Sequence, residues 1–116
     1  MHGICHLEIP SRDFAKAKKF YGDLFNWQFE EIKDWNYLIF RTPDGVNGGF
    51  DQSLEIASKP GHVFYIEVED VAETLKKAGE LGGETIKDKT QISPEFGYMA
   101  FVKDLDGNQM GLWSKK

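Results

Sequence analysis

Residues 6–24 read HLEIPSRDFAKAKKFYGDL, and residues 63–81 read VFYIEVEDVAETLKKAGEL. Set one above the other at a shift of 57, they match Ile9 with Ile66, Asp13 with Asp70 and Ala15 with Ala72. Lys19 then meets Lys76, Gly22 meets Gly79, and Leu24 meets Leu81. Each stretch opens with an apolar–polar alternation, CHLEI in one and VFYIEVE in the other, which is the pattern of a half-buried strand. Each continues as an amphipathic helix. In the first, Phe14, Ala17, Tyr21 and Leu24 share a face, with Ser11 or Asp13 available as N-cap; in the second, Val71, Leu75, Ala78 and Leu81 do so.

The remainder of each half keeps the same order. WQFEEI and YLIFRT read as strands, Asp44-Gly45 as a two-residue hairpin turn, and VNGGF as a short strand weakened by glycine. ETIKDK and YMAFVKD, the Asp106-Gly107 turn and QMGLW repeat the order. About five extra residues near QISPEF lengthen the shift to 62, at which Asp44-Gly45 meets Asp106-Gly107 and Gly49 meets Gly111. Residues 1–116 are therefore expected to form one α+β domain of two tandem βαβββ modules, about 1–55 and about 60–116.

At 116 residues the chain is long enough to bury a core without staples. Its composition, 41% apolar and 28% charged, is ordinary for a globular protein. A net charge of −5 with scattered Lys and Arg leaves no basic patch, so no nucleic-acid partner is expected. A single cysteine excludes an internal disulfide and fits a reducing compartment. MHGICHLEIP lacks the basic and apolar regions of a signal peptide, and no apolar run is long enough to cross a membrane. The expected location is the cytoplasm.

The element order, together with HLEIP, AKKFYGDLFNW, NGGF and DGNQMGLW, resembles the vicinal oxygen chelate superfamily over essentially the whole chain. That superfamily includes glyoxalase I, the bleomycin-resistance proteins and the extradiol dioxygenases. Within it the chain is similar to the small bacterial glyoxalase-related proteins. The resemblance implies curved mixed sheets around a cup, frequent homodimers, and, in metal-using members, ligands from the first and last strands of each module.

Alternate residues of a strand share a face. With Cys5, Leu7 and Ile9 toward the helix, Ile4, His6 and Glu8 face the cup, and so do Val63, Tyr65 and Glu67 of the second module. Cys5 is then a buried, inert thiol. In the resemblance His6 falls on the first ligand position. Its counterpart is Val63, and the positions of the acidic ligands are Gly49 and Gly111. A catalytic divalent site normally needs three protein ligands and an open position. Glyoxalase I activity and a metal cofactor are thus not expected; a rearranged site would use His6, His62 and Glu8, although His62 reads more simply as a loop residue after Pro60-Gly61.

Without a metal, His6 and Glu8 lie about 7 Å apart at Cα on one strand face, within reach of a direct or bridged hydrogen bond. Glu67 and Tyr65 belong to the corresponding face. Asn47 and Gln109 are expected to offer neutral polar groups there, while Gly49 and Gly111 leave space. Of Trp27, Trp35 and Trp113, only Trp113 has a register argument for the cup; Tyr98 belongs at its rim. The expected function is binding of a small organic ligand, in a resistance or sequestering role. The alternative is a lyase, isomerase or dioxygenase, either metal-free through His6, Glu8 and Glu67 or with the rearranged metal site.

Overall fold

The computed structural model describes residues 1–116, which divide into two compact units, Met1–Ile56 and Ala57–Lys116. In the first unit the order is β1 (Leu7–Pro10), α1 (Phe14–Phe25), β2 (Gln28–Ile32), a single 3-10 turn (Lys33–Trp35), β3 (Tyr37–Arg41) and β4 (Gly48–Asp51). The second runs β5 (Tyr65–Glu67), α2 (Val71–Glu80), β6 (Glu84–Ser93), β7 (Gly97–Lys103) and β8 (Gln109–Ser114). The sheets have strand orders β1-β4-β3-β2 and β5-β8-β7-β6. In each, the first and last strands pair in parallel and the other pairs are antiparallel. The βαβββ duplication is present strand for strand.

The register repeats too. Glu8 stands opposite Gly49 and Ile9 opposite Phe50; at the same shifts, Tyr65 stands opposite Gly111 and Ile66 opposite Leu112. Across the next ladder Ile39 faces Gly49, as Phe101 faces Gly111.

Side-chain caps fix both helix starts. Asp13 accepts from the Lys16 amide at 3.1 Å, and Asp70 accepts from the Ala72 and Glu73 amides at 2.9 and 3.3 Å. Ser11 is buried, and its hydroxyl instead accepts from the Asp13 amide. The core of the first unit gathers Ile9, Phe14, Ala17, Phe20, Tyr21, Trp27, Leu38, Phe40 and Phe50. Trp27 stacks on Phe40 with ring centroids 4.5 Å apart and on Tyr21 at 4.8 Å, so it is a packing residue. Val71, Leu75, Ala78, Ala100, Val102, Met110 and Leu112 form the core of the second unit. The larger of these, the Val, Leu, Ile, Phe and Met side chains, each contribute on the order of 1.5–3 kcal/mol by leaving water. No helix is long and apolar enough to cross a membrane.

Three local expectations need correction. On α1, Phe20 is buried to the level of Tyr21, whereas Leu24 is only half-buried. Cys5 is exposed rather than packed on the helix, because β1 begins at Leu7 and the alternation before it is not held in a ladder. The Asp44-Gly45 pair sits in a six-residue connection, 42–47, not a two-residue hairpin. Gly45 takes φ +106°, and the Thr42 hydroxyl donates to the Asp44 and Val46 carbonyls, which rounds the wider turn.

Candidate functional site

The site in the first unit begins with the alternation of β3. Leu38 and Phe40 point into the core, so Tyr37, Ile39 and Arg41 point the other way. On that face β4 presents Gly49, and beyond it β1 presents Glu8. Tyr37 lies diagonally from Gly49 and must cross β4 to reach β1. It does so because residue 49 has no side chain: a Cβ there would collide with Cε2, Cζ and Oη of Tyr37. The glycine admits the ring.

At the far side of Gly49 the phenol joins Glu8 of β1 and His6, which lies just before that strand. The Tyr37 hydroxyl donates to Glu8 Oε2 at 2.9 Å, and His6 Nε2 lies 2.7 Å from the same oxygen. The rings of His6 and Tyr37 are nearly coplanar in orientation, at 13°. A carboxylate only accepts, so Tyr37 spends its one proton on Glu8 and its oxygen accepts from His6 Nε2–H. The bridged alternative for His6 and Glu8 is the one realised, and the bridge is a side chain. Burial first, then the hydrogen bond to Glu8 and the charges of Glu8 and Asp51, push the Tyr37 phenol far above its ordinary value of 10.0. It is a neutral, fixed hydrogen-bonding group.

Around this chain of three lies a groove of about 540 Å³, lined also by Trp35, Ile39, Arg41, Asn47 and Asp51. Trp35, at the end of the 3-10 turn, is 73% exposed. Asp51 accepts from the Ser53 hydroxyl at 2.6 Å and the Ser53 amide at 2.8 Å, bonds that hold its carboxyl below the ordinary 3.8. Arg41 is tied to Glu30 at 2.9 Å.

The structure brings His6, Glu8, Asn47 and Gly49 together, but two of them play other parts than expected. Asn47 lines the groove while its side-chain Oδ1 accepts from the Thr42 amide at 2.8 Å, holding the 42–47 connection. Gly49 leaves no empty space, since Tyr37 covers it.

In the second unit Gly111 is covered likewise, by the ring of Tyr65 directly across the ladder. The two modules fill equivalent glycines with tyrosines from different strands. Tyr65 remains 50% exposed and packs on Phe101, with centroids 5.8 Å apart. Glu67 is exposed and pairs in register with Trp113, whose indole donates to the Phe96 carbonyl at 2.6 Å. Gln109 donates to the Ser58 carbonyl at 3.2 Å, a loop-holding contact rather than an open polar group. Lys89 lies over the Tyr98 ring at 4.4 Å. His62 is an exposed loop residue.

The residues do not fit the metal site that the resemblance implies. His6 Nε2 and Glu8 Oε2 are both engaged with the Tyr37 hydroxyl, and the two acidic-ligand positions are glycines roofed by phenol rings. No group of three or more His, Cys, Asp or Glu side chains is placed to hold a metal ion.

Sequence reasoning missed Tyr37 and passed over Trp35. Signals for Tyr37 were present: the YLIF alternation puts it on the face of Gly49, and a glycine in a central strand marks a place where something approaches closely.

The model of the Glyoxalase/Bleomycin resistance protein/Dioxygenase superfamily matches residues 3–112. A "Glyoxylase-like domain-containing protein" of Didymella fabae is 31% identical over 116 residues, covering 93% of this chain and 91% of that one. Among solved structures, the fosfomycin resistance protein FosX of Listeria monocytogenes superposes with a TM-score of 0.80 at 16% identity, over 100% of this chain and 93% of that chain. A glyoxalase-related enzyme from Fulvimarina pelagi superposes at 0.74 and 17%, over 98% and 88%. At these identities the structural matches speak to the fold alone.

Proposed function

The chain belongs to the glyoxalase/bleomycin resistance protein/dioxygenase superfamily, and from that footing we propose that the groove of its first unit binds a small organic molecule through its own side chains, without a metal. The observation that supports this most is the His6–Tyr37–Glu8 chain, fixed polar groups set beside an exposed Trp35 in a groove of about 540 Å³. That volume suits a small ligand, and the pairing of an aromatic face with a few directed polar groups is what such sites require. The role is sequestration or resistance in the cytoplasm, by a homodimer, in keeping with the resistance protein among the structural neighbours.

One feature also favours an acid–base enzyme. With His6 as the imidazolium, a proton can pass from its Nε2 to the Tyr37 oxygen while the Tyr37 proton passes to Glu8, leaving a neutral imidazole, so the three residues form a relay of the kind that general acid–base catalysis uses. In this reading Glu8, which is exposed, meets the substrate, and His6 and Tyr37 set its protonation.

The test is a fragment screen by amide and indole NMR on the wild type and on Tyr37→Phe. Binders are expected to shift the Trp35 indole signal and amides of β1, β3 and β4. Tyr37→Phe frees both His6 and Glu8 from their shared partner and should weaken binding by about tenfold, the value of one charge-assisted hydrogen bond. Fragments that bind elsewhere, or bind Tyr37→Phe equally well, would overturn the groove as the binding site. Deuterium uptake into a bound carbon acid in D2O, lost in Glu8→Gln, would identify the enzyme.

A further inference from the structure

The direction of the hydrogen bonds decides what the groove can recognise. Glu8 takes the only proton of Tyr37 on Oε2, which leaves Oε1 as an open acceptor. Tyr37 in turn draws the Nε2–H of His6, which makes Nδ1 of the neutral imidazole a bare acceptor as well. Both bonds from Ser53 go to Oδ1 of Asp51, and Oδ2 is without a partner. Three residues that line the groove thus keep an acceptor atom without a partner, two of them as carboxylates.

The positive side of the lining is weaker. Arg41 is the only lysine or arginine there, and its guanidinium is paired with Glu30. The amide of Asn47 is anchored through its oxygen to the Thr42 backbone. The charges of Glu8 and Asp51 are left uncompensated. Beside them stands the exposed face of Trp35, the ring type that attracts cations most strongly.

Resting on the binding reading above, we infer that the occupant of the groove is a compact organic cation rich in N–H donors, an amidinium, guanidinium or primary ammonium. Its N–H groups bond Glu8 Oε1, His6 Nδ1 and Asp51 Oδ2, and its flat or methylene portion lies on Trp35. An organic anion would meet two carboxylates and no unpaired lysine or arginine. A neutral molecule would leave both charges unanswered.

Benzamidinium, benzamide and benzoate share one planar shape and differ in charge. Their affinities for the wild-type protein, read by calorimetry and by the Trp35 indole signal, test the inference. Benzamidinium is expected to bind about tenfold or more tightly than benzamide, with benzoate weakest. The preference should shrink as salt rises, because part of it is attraction between exposed charges. Glu8→Gln, a change at an exposed residue, should bring benzamidinium and benzamide to within about threefold. Benzamide or benzoate binding in the groove as tightly as benzamidinium would overturn the inference and leave the binding reading standing. So would a groove that ignores all three while taking up neutral or acidic fragments from the wider screen. A groove that no compound of either set perturbs would overturn both.

Discussion

Phe40→Ala is expected to lower the stability of the first unit by about 3–5 kcal/mol, the range for emptying a buried aromatic position. Phe40 is fully buried, and its ring stacks on Trp27 at 4.5 Å and leans on Phe50 at 5.2 Å. Alanine would leave a cavity bounded by two rings that cannot both collapse into it. The loss also reaches the groove. Phe40 fixes the inward face of β3, and the outward face of the same strand carries Tyr37, so a strand free to shift would misplace the phenol. Urea denaturation followed by tryptophan fluorescence measures the effect, with Trp27 as the natural reporter of this core. A loss below about 1 kcal/mol would mean that the cluster is loosely packed.

Gly48→Ala should be comparably damaging, about 3 kcal/mol or more, at the upper end for overpacking. A Cβ at residue 48 would collide with the Leu7 carbonyl oxygen and would also lie 2.7 Å from Phe40 Cζ. The first is backbone of β1, paired in register with Gly48 itself, and it cannot rotate aside. The strain is relieved only by parting β1 from β4. That movement carries His6 and Glu8 away from Tyr37, so the substitution should abolish groove binding along with stability. Urea midpoints and the NMR signals of residues 6–10 would report both. A variant as stable as wild type would show that the two strands are held less closely than described.

The duplication was legible in the sequence because it rests on local chemistry. Asp13 and Asp70 cap helices, apolar residues recur at helical spacing, and Gly45 and Gly107 take positive φ where the alternation breaks. The faces of β1 and β5 were legible for the same reason, and Glu8 and Tyr65 stand where a period of two puts them. What was not legible depends on reach between strands. Nothing within YLIF says that Tyr37 crosses β4, since that requires Gly49 to lie beside it in the folded sheet. Gly49 and Gly111 read as vacancies in sequence, whereas in space each is the floor under a tyrosine ring. Asn47 and Gln109 sit at the edges of the turns before β4 and β8, and there a polar side chain finds a nearby backbone group to hold. Cys5 failed for another reason: alternation predicts a face only where a ladder holds the strand, and β1 starts two residues later.

Tyr37 stands between His6 and Glu8 and sets the direction of their hydrogen bonds. The nitrogen chemical shifts of the His6 imidazole, from a long-range proton–nitrogen correlation spectrum at a pH where the ring is neutral, test it most directly. Because Glu8 takes the phenol proton, Nε2 of His6 is expected to carry the hydrogen and Nδ1 to be bare. Tyr37→Phe should return the ring to a mixture of both tautomers. A wild-type His6 protonated on Nδ1, or shifts unchanged in Tyr37→Phe, would mean that Tyr37 does not set the direction of these bonds.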